Sequence, residues 1–279
     1  MKTLLLPLFS FLAFLSYGQS TPVAPPALFV SDITEKNPIP FFIGAANEYV
    51  ESNNRFQHNY NQPWNQASRD KGSSGNSLDL ATLRKLNAYN AAIEKNPRDT
   101  AALCARAIER FGINDFDRAI ADFSKVIEID PTRADAWYGI GFIKMTIEDF
   151  PGAIEAYTKA IALDPKLIEA VFNRGNTKMD LQDYQGAIED YNKAINMKAG
   201  VAEIYFNRAV AEEKLHDQNA ALADYDKVIE IDPKDQGAYY NRGVAKIGLG
   251  KKDDGCSDLK KAAALGNVQA KEQIKKSCN

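Results

Sequence analysis

Four arginines keep step with four aspartates along this chain: Arg106 with Asp122, Arg174 with Asp190, Arg208 with Asp224, and Arg242 with Asp258, at one constant interval. Opposite charges so placed are expected to form structural ion pairs, with partner binding as the alternative use. Where the pattern skips a place it skips both members, since Ile140 and Ala156 stand where an Arg and an Asp are due. Joint loss argues for pairing inside one unit, because a bond to the next unit would strand one partner on each side. A partly buried pair of this kind fixes register more surely than it adds stability.

No other grouping has the makings of catalysis. The two histidines, His58 and His216, lie in an Asn-rich stretch and in a turn between helices, without the HxxxH or HExxH spacing that brings metal ligands to one helix face. Phosphate-binding loops and nucleophile elbows are missing as well, and the many carboxylates read as solvated helix faces. Catalytic residues, a metal and a cofactor are therefore not expected, and the chain reads as a non-enzyme. The three cysteines are Cys104, Cys256 and Cys278. Cys256 takes a second-helix place held by Ile120, Ile154, Ile188 and Leu222 elsewhere, so it should lie inward. A disulfide to Cys278 would pin the last helix there; two reduced thiols are the alternative. Cys104 reads as a small packed residue.

These residues are positioned by a repeat. In Ala134 to Leu167 the apolar positions Trp137, Ile140 and Gly141, then Ala153, Tyr157, Ala160 and Ile161, fall at helical spacing twice over. Asp149 can cap the second helix, Pro151 is tolerated in its first turn, and Asp164-Pro165 stops it. The pattern returns at a step of 34 residues: stop prolines stand at 131, 165 and 233, and small residues at Ala119, Ala153, Ala187, Ala221 and Gly255. Five copies follow, 100–133, 134–167, 168–201, 202–235 and 236–267. Each is a helix hairpin too short to bury its own apolar face, so it must stack on a neighbour. Ser77 and the stripe Leu80, Leu83, Leu86, Tyr89 and Ile93 predict a half-repeat helix within 78–99. Leu265-Gly266-Asn267 ends the last hairpin, and a capping helix is expected within 268–279.

The pattern W-x2-[IL]-G, A-x3-[FY]-x2-A-x4-P, best matched by Trp137, Gly141, Ala153, Tyr157, Ala160 and Pro165, closely resembles the tetratricopeptide repeat (TPR) family. Ala199 and Asn267 depart from it at the stop proline, and Arg110, Lys144, Lys178, Glu212 and Lys246 occupy an eleventh position that is usually aromatic in the family. The resemblance implies an all-α, right-handed TPR solenoid of antiparallel helix hairpins, preceded here by a poorly structured N-terminal segment. It also implies a concave stripe on the first helices that grips an extended peptide or a partner protein. By that resemblance Tyr138, Phe172, Phe206 and Tyr240 would line the groove, and Asn173, Asn207 and Asn241 would hold a peptide backbone, Asn207 and Asn241 facing solvent in the free protein, with Asn176, Met179, Glu203 and Glu213 setting selectivity. The two glutamates favour a basic segment. The aromatics have an alternative use in packing neighbouring first helices. The chaperone-binding carboxylate clamp is disfavoured, since it wants Lys at the fifth and Asn at the ninth position and only Asn176 matches.

Whole-chain composition is consistent with a protein-binding role. Net charge is -3 with a pI near 5.6, and Lys and Arg alternate with Asp and Glu along helices, which speaks against a nucleic-acid partner. Lys2, the apolar run Leu4 to Leu15, and Ser16-Tyr17-Gly18 have the form of a secretory signal peptide over 1–18, cut before Gln19, too short to span a membrane. The mature chain is thus expected to be periplasmic or extracellular, without an integral membrane segment. Residues 19–77 are Pro-, Asn-, Gln- and Gly/Ser-rich yet carry several aromatics, and packing as an N-terminal cap competes with a mobile tail. Two rival functions stay open: a structural subunit assembling through its convex faces with copies of itself, and glycan binding by the aromatic row.

Overall fold

The computed structural model describes residues 80–279, and the expected signal peptide, the segment 19–77, His58 and the first two residues of the expected half-repeat lie outside them. The described residues form helices only. They run α1 (Leu80–Lys95), α2 (Thr100–Gly112), α3 (Phe116–Ile129), α4 (Ala134–Thr146), α5 (Phe150–Leu163), α6 (Ile168–Asp180), α7 (Tyr184–Met197), α8 (Ala202–Lys214), α9 (Gln218–Ile231), α10 (Gln236–Gly248), α11 (Lys252–Ala264) and α12 (Val268–Ser277). α2 through α11 are five hairpins, each packed on the next.

The hairpin turns follow from short-range chemistry. The chain crosses from first to second helix through one residue in the left-handed region: Asn114, Glu148, Gln182 and His216 at φ 61° to 63°, and Gly250 at 79°. His216 is therefore a turn residue. An aspartate follows in the first four, and Asp149, Asp183 and Asp217 accept from the backbone N–H three residues on at 3.0, 3.0 and 3.1 Å, as N-caps do. Second helices stop where Asp130, Asp164 and Asp232 take extended backbone ahead of proline. Lys198 takes the same conformation ahead of Ala199, so the hairpin helix ends in register without its proline.

Each hairpin is filled by one large residue of its second helix. Phe123, Tyr157, Tyr191, Tyr225 and Leu259 are all at most 3% exposed. They lie over the small eighth residue of the first helix: a Cβ on Gly141 would come within 2.7 Å of Tyr157, and one on Gly175 within 2.8 Å of Tyr191. At the C-terminal end Gly243 and Gly255 face each other, and a Cβ on Gly255 would sit 2.6 Å from the Gly243 carbonyl oxygen.

The ends differ. α1 packs on α2 but buries no residue of its own, leaving Leu80 62% and Leu83 42% exposed. α12 packs on α11, and the Cys256–Cys278 disulfide ties the two helices together, with 5.7 Å between their Cα atoms. Cys104 is a buried free thiol, and burial together with the nearby Asp135 carboxylate pushes it up to about 12 despite the opposing Arg133.

Candidate functional site

The charged ladder ties the two helices of four of the five hairpins together. Arg106, Arg174, Arg208 and Arg242 each grip the aspartate of their own hairpin with two nitrogens, at 2.5 to 3.0 Å, through Nε and Nη2. This fork-on-carboxylate geometry is the strong form of the interaction. The aspartates Asp122, Asp190, Asp224 and Asp258 are 3–6% exposed. In the second hairpin Ile140 and Ala156 are buried in their stead.

Two further features of the ladder were not foreseen from the sequence. The remaining nitrogen of each arginine crosses to the second helix of the preceding unit: Nη1 donates to Asn90 at 2.8 Å, Thr158 at 3.1 Å, Asn192 at 2.6 Å and Asp226 at 2.6 Å. Each arginine thus joins three helices. The eleventh-position cations also close on the same aspartates, Arg110 on Asp122 at 2.6 Å, Lys178 on Asp190 at 2.9 Å and Lys246 on Asp258 at 2.7 Å. What looks like a departure from an aromatic pattern is a second cation for the buried carboxylate.

Successive first helices α4, α6 and α8 contact one another, whereas successive second helices do so marginally at most. A stack that is closer on one side curves toward it, so the first helices line the inner face. There the structure corrects part of the expected groove. Asn173 does not face solvent; it is 2% exposed and its Nδ2 donates to Tyr138 Oη at 2.9 Å. Tyr138 and Phe206 are 1% and 7% exposed. The cause is packing inside the hairpin, since the fifth-position ring lies on the filling tyrosine of its own second helix: Tyr138 on Tyr157 at 5.8 Å, Phe172 on Tyr191 at 5.9 Å and Phe206 on Tyr225 at 5.7 Å between centroids.

Phe172, Asn176, Asn207, Tyr240 and Asn241 remain half-buried on this face. Phe172 lacks the hydroxyl that Tyr138 offers Asn173. Asn207 accordingly turns to the preceding repeat's ninth residue, and its Nδ2 donates to Asn176 Oδ1 at 3.0 Å, which also accepts from Tyr191 Oη at 2.7 Å. This pairing leaves Asn176 Nδ2 and Asn207 Oδ1 without a hydrogen-bond partner among the described residues. One repeat further on, Tyr225 Oη bonds both Asn241 and Glu213, with 3.0 Å to the Glu213 carboxylate. Burial raises the Glu213 carboxyl above its ordinary range, against the stabilising Tyr225 hydroxyl. Glu203 is half-buried on the same helix. Among the described residues there is no cluster of metal-ligating side chains, and no helix is long and apolar enough to cross a membrane.

Comparison with known proteins agrees with this architecture. Profiles described as tetratricopeptide repeat match residues 101–133, 134–167 and 202–235, and one described as TPR repeat matches 175–216. No curated protein matches the chain. Among solved structures the chain is similar to MamA, with 28% identity over 59% of this chain and 96% of that one, at a TM-score of 0.56. It is also similar to YrrB, described as a TPR protein with an unusual peptide-binding site, at 23% identity, 68% and 99% coverage, and a TM-score of 0.60. The C-terminal part of a TPR repeat-containing protein from Cytophaga hutchinsonii matches with 16% identity, 71% and 80% coverage, and a TM-score of 0.62. The last two likenesses carry the fold alone.

Proposed function

Since this chain is a tetratricopeptide-repeat protein, we propose that it is a non-catalytic scaffold outside the cytoplasm that holds an extended segment of a partner protein against its inner face. One observation carries the reading. The Asn176–Asn207 pair carries one unused amide donor and one unused amide acceptor, on half-buried side chains of the inner face in two successive repeats. That is the complement of a peptide group, which accepts at its C=O and donates at its N–H. Phe172 next to Asn176's helix turn and Tyr240 with Asn241 further along supply apolar and polar flanks, and Glu203 and Glu213 favour basic side chains in the bound segment. YrrB shows that a solenoid of this fold can carry a peptide-binding site.

Export is supported by the form of residues 1–18 and by the Cys256–Cys278 bond, which belongs to an oxidising compartment. Asn207→Ala tests the site. It removes the acceptor but leaves the Tyr191–Asn176 bond in place, so partner binding should weaken by about 1 to 3 kcal/mol if the bond is desolvated in the complex. The fold should lose no more than about 0.5 to 1.5 kcal/mol. Unchanged affinity would remove the inner face as the site.

A further inference from the structure

The fourth hairpin, α8 and α9, breaks the charge rule of its siblings. Where Arg110, Lys178 and Lys246 each bring a cation to the Oδ2 of their hairpin's aspartate, at 2.6, 2.9 and 2.7 Å, this hairpin has Glu212. In the second hairpin Ala156 offers Lys144 no carboxylate, and Lys144 lies 3.1 Å from Asp149 instead. The Glu212 side chain is 13% exposed. Its Oε2 is the buried side-chain oxygen without any hydrogen-bond partner among the described residues, and its Oε1 is a loose 3.9 Å from Arg208 Nε.

The groups around it cannot neutralise it. Arg208, on the same helix, is already committed to both oxygens of Asp224 on α9, at 2.7 Å each, and to Asn192 on α7. Asp224 on α9 and Asp217 in the turn add negative charge, and Tyr225 on α9 directs its hydroxyl to Glu213. A buried carboxylate beside a second carboxylate, with its one cation taken, is an unfavourable ion. A proton cures this. Neutral Glu212 carries an O–H in the place where the sibling hairpins carry an N–H donor, next to a carboxylate that accepts there in three other repeats.

We propose that Glu212 makes the α8–α9 hairpin a proton-sensitive joint, closed when Glu212 is protonated and loosened when it ionises against Asp224. Burial, and then Asp224, push the carboxyl up to about 7 with Arg208 opposing. The direction follows from linkage. The folded hairpin binds this proton more tightly than the unfolded chain, so the stabilisation is greatest below the ordinary carboxylate range and is lost as pH rises toward and through about 7. The consequence for binding rests on the groove reading above: α8 carries Asn207 and Glu213, so a looser α8 presents a less ordered inner face at alkaline pH.

Amide hydrogen exchange of the full chain tests the joint without any partner, so its failure and the failure of the groove reading are separate results. Protection factors in α8 and α9 should fall roughly three- to tenfold between about pH 6 and pH 8, while those of α6 and α7, which carry Lys178, stay level. Glu212→Gln supplies an N–H donor in place of the O–H and carries no charge, and should flatten the profile. Glu212→Lys should flatten it and raise protection at the alkaline end. A level wild-type profile, or a fall that persists in Glu212→Gln, overturns the proposal. Carbon NMR titration of the unaltered protein gives a second reading: a Glu212 midpoint near the ordinary 4.5 overturns it as well.

Discussion

Ile140→Arg and Ala156→Asp would install in the second hairpin the ladder that the other four possess. The recipient site is dry, with Ile140 5% and Ala156 2% exposed. The arginine alone forfeits about 1.5 to 3 kcal/mol of apolar burial and leaves a guanidinium without its carboxylate, the situation that costs about 3 to 5 kcal/mol when a buried pair is broken. A net loss of roughly 4 kcal/mol or more is expected, partly relieved by the arginine bending to water. Adding Ala156→Asp supplies two charge-assisted bonds of the kind seen at 2.5 to 3.0 Å in the siblings. Ser124, at the place where Asn90, Thr158, Asn192 and Asp226 receive the third nitrogen, is half-buried and able to accept. The double variant should recover about 2 kcal/mol over the sum of the singles, within the range of directly contacting pairs. Urea unfolding measures the cycle, with exchange protection of α4 and α5 as the local readout, because repeat arrays need not unfold as one unit. Additivity within about 0.5 kcal/mol would refute the claim that the arginine and aspartate act as one device.

Two further outcomes follow from the C-terminal end. Replacing Cys256 and Cys278 with serine opens a loop of 22 residues, which in the chain-entropy model removes about 3 kcal/mol, and exchange protection should drop first in α12; unchanged α12 protection would show that packing alone holds the cap. Gly255→Ala introduces the residue that four other repeats carry at this place, yet its Cβ would lie 2.6 Å from the Gly243 carbonyl oxygen. It should cost about 1 to 3 kcal/mol by overpacking, and a neutral urea midpoint would mean the two helices separate at little cost.

The parts of the fold that repeat were legible in the sequence because repetition is itself the evidence. Register held through five copies, so the hairpins could be bounded, and joint presence of Arg and Asp located the pair inside one hairpin, where the bonds are found. What was not legible depends on what a neighbouring copy happens to carry. Asn173 is buried because Tyr138 offers a hydroxyl, whereas Asn207 stays half-buried because Phe172 does not. The same residue at the same repeat position thus has two fates, and position alone cannot separate them. The eleventh-position cations were legible in principle: their sign follows the buried aspartate in three repeats and reverses at Glu212, a charge anomaly visible without coordinates. The third arginine contact was hidden, since Asn, Thr, Asn and Asp share only the ability to accept.

The central claim is that an extended segment lies on the inner face over the third and fourth repeats. The most direct measurement is the affinity of a captured partner segment for the parent protein, for Asn207→Ala and for Lys193→Glu, the last an exposed change on second helix α7. Isothermal titration should show Asn207→Ala weakened roughly five- to 150-fold, the equivalent of about 1 to 3 kcal/mol, with Lys193→Glu close to the parent. The opposite order, with Lys193→Glu impaired and Asn207→Ala unchanged, would place the partner on the outer helices and contradict the account.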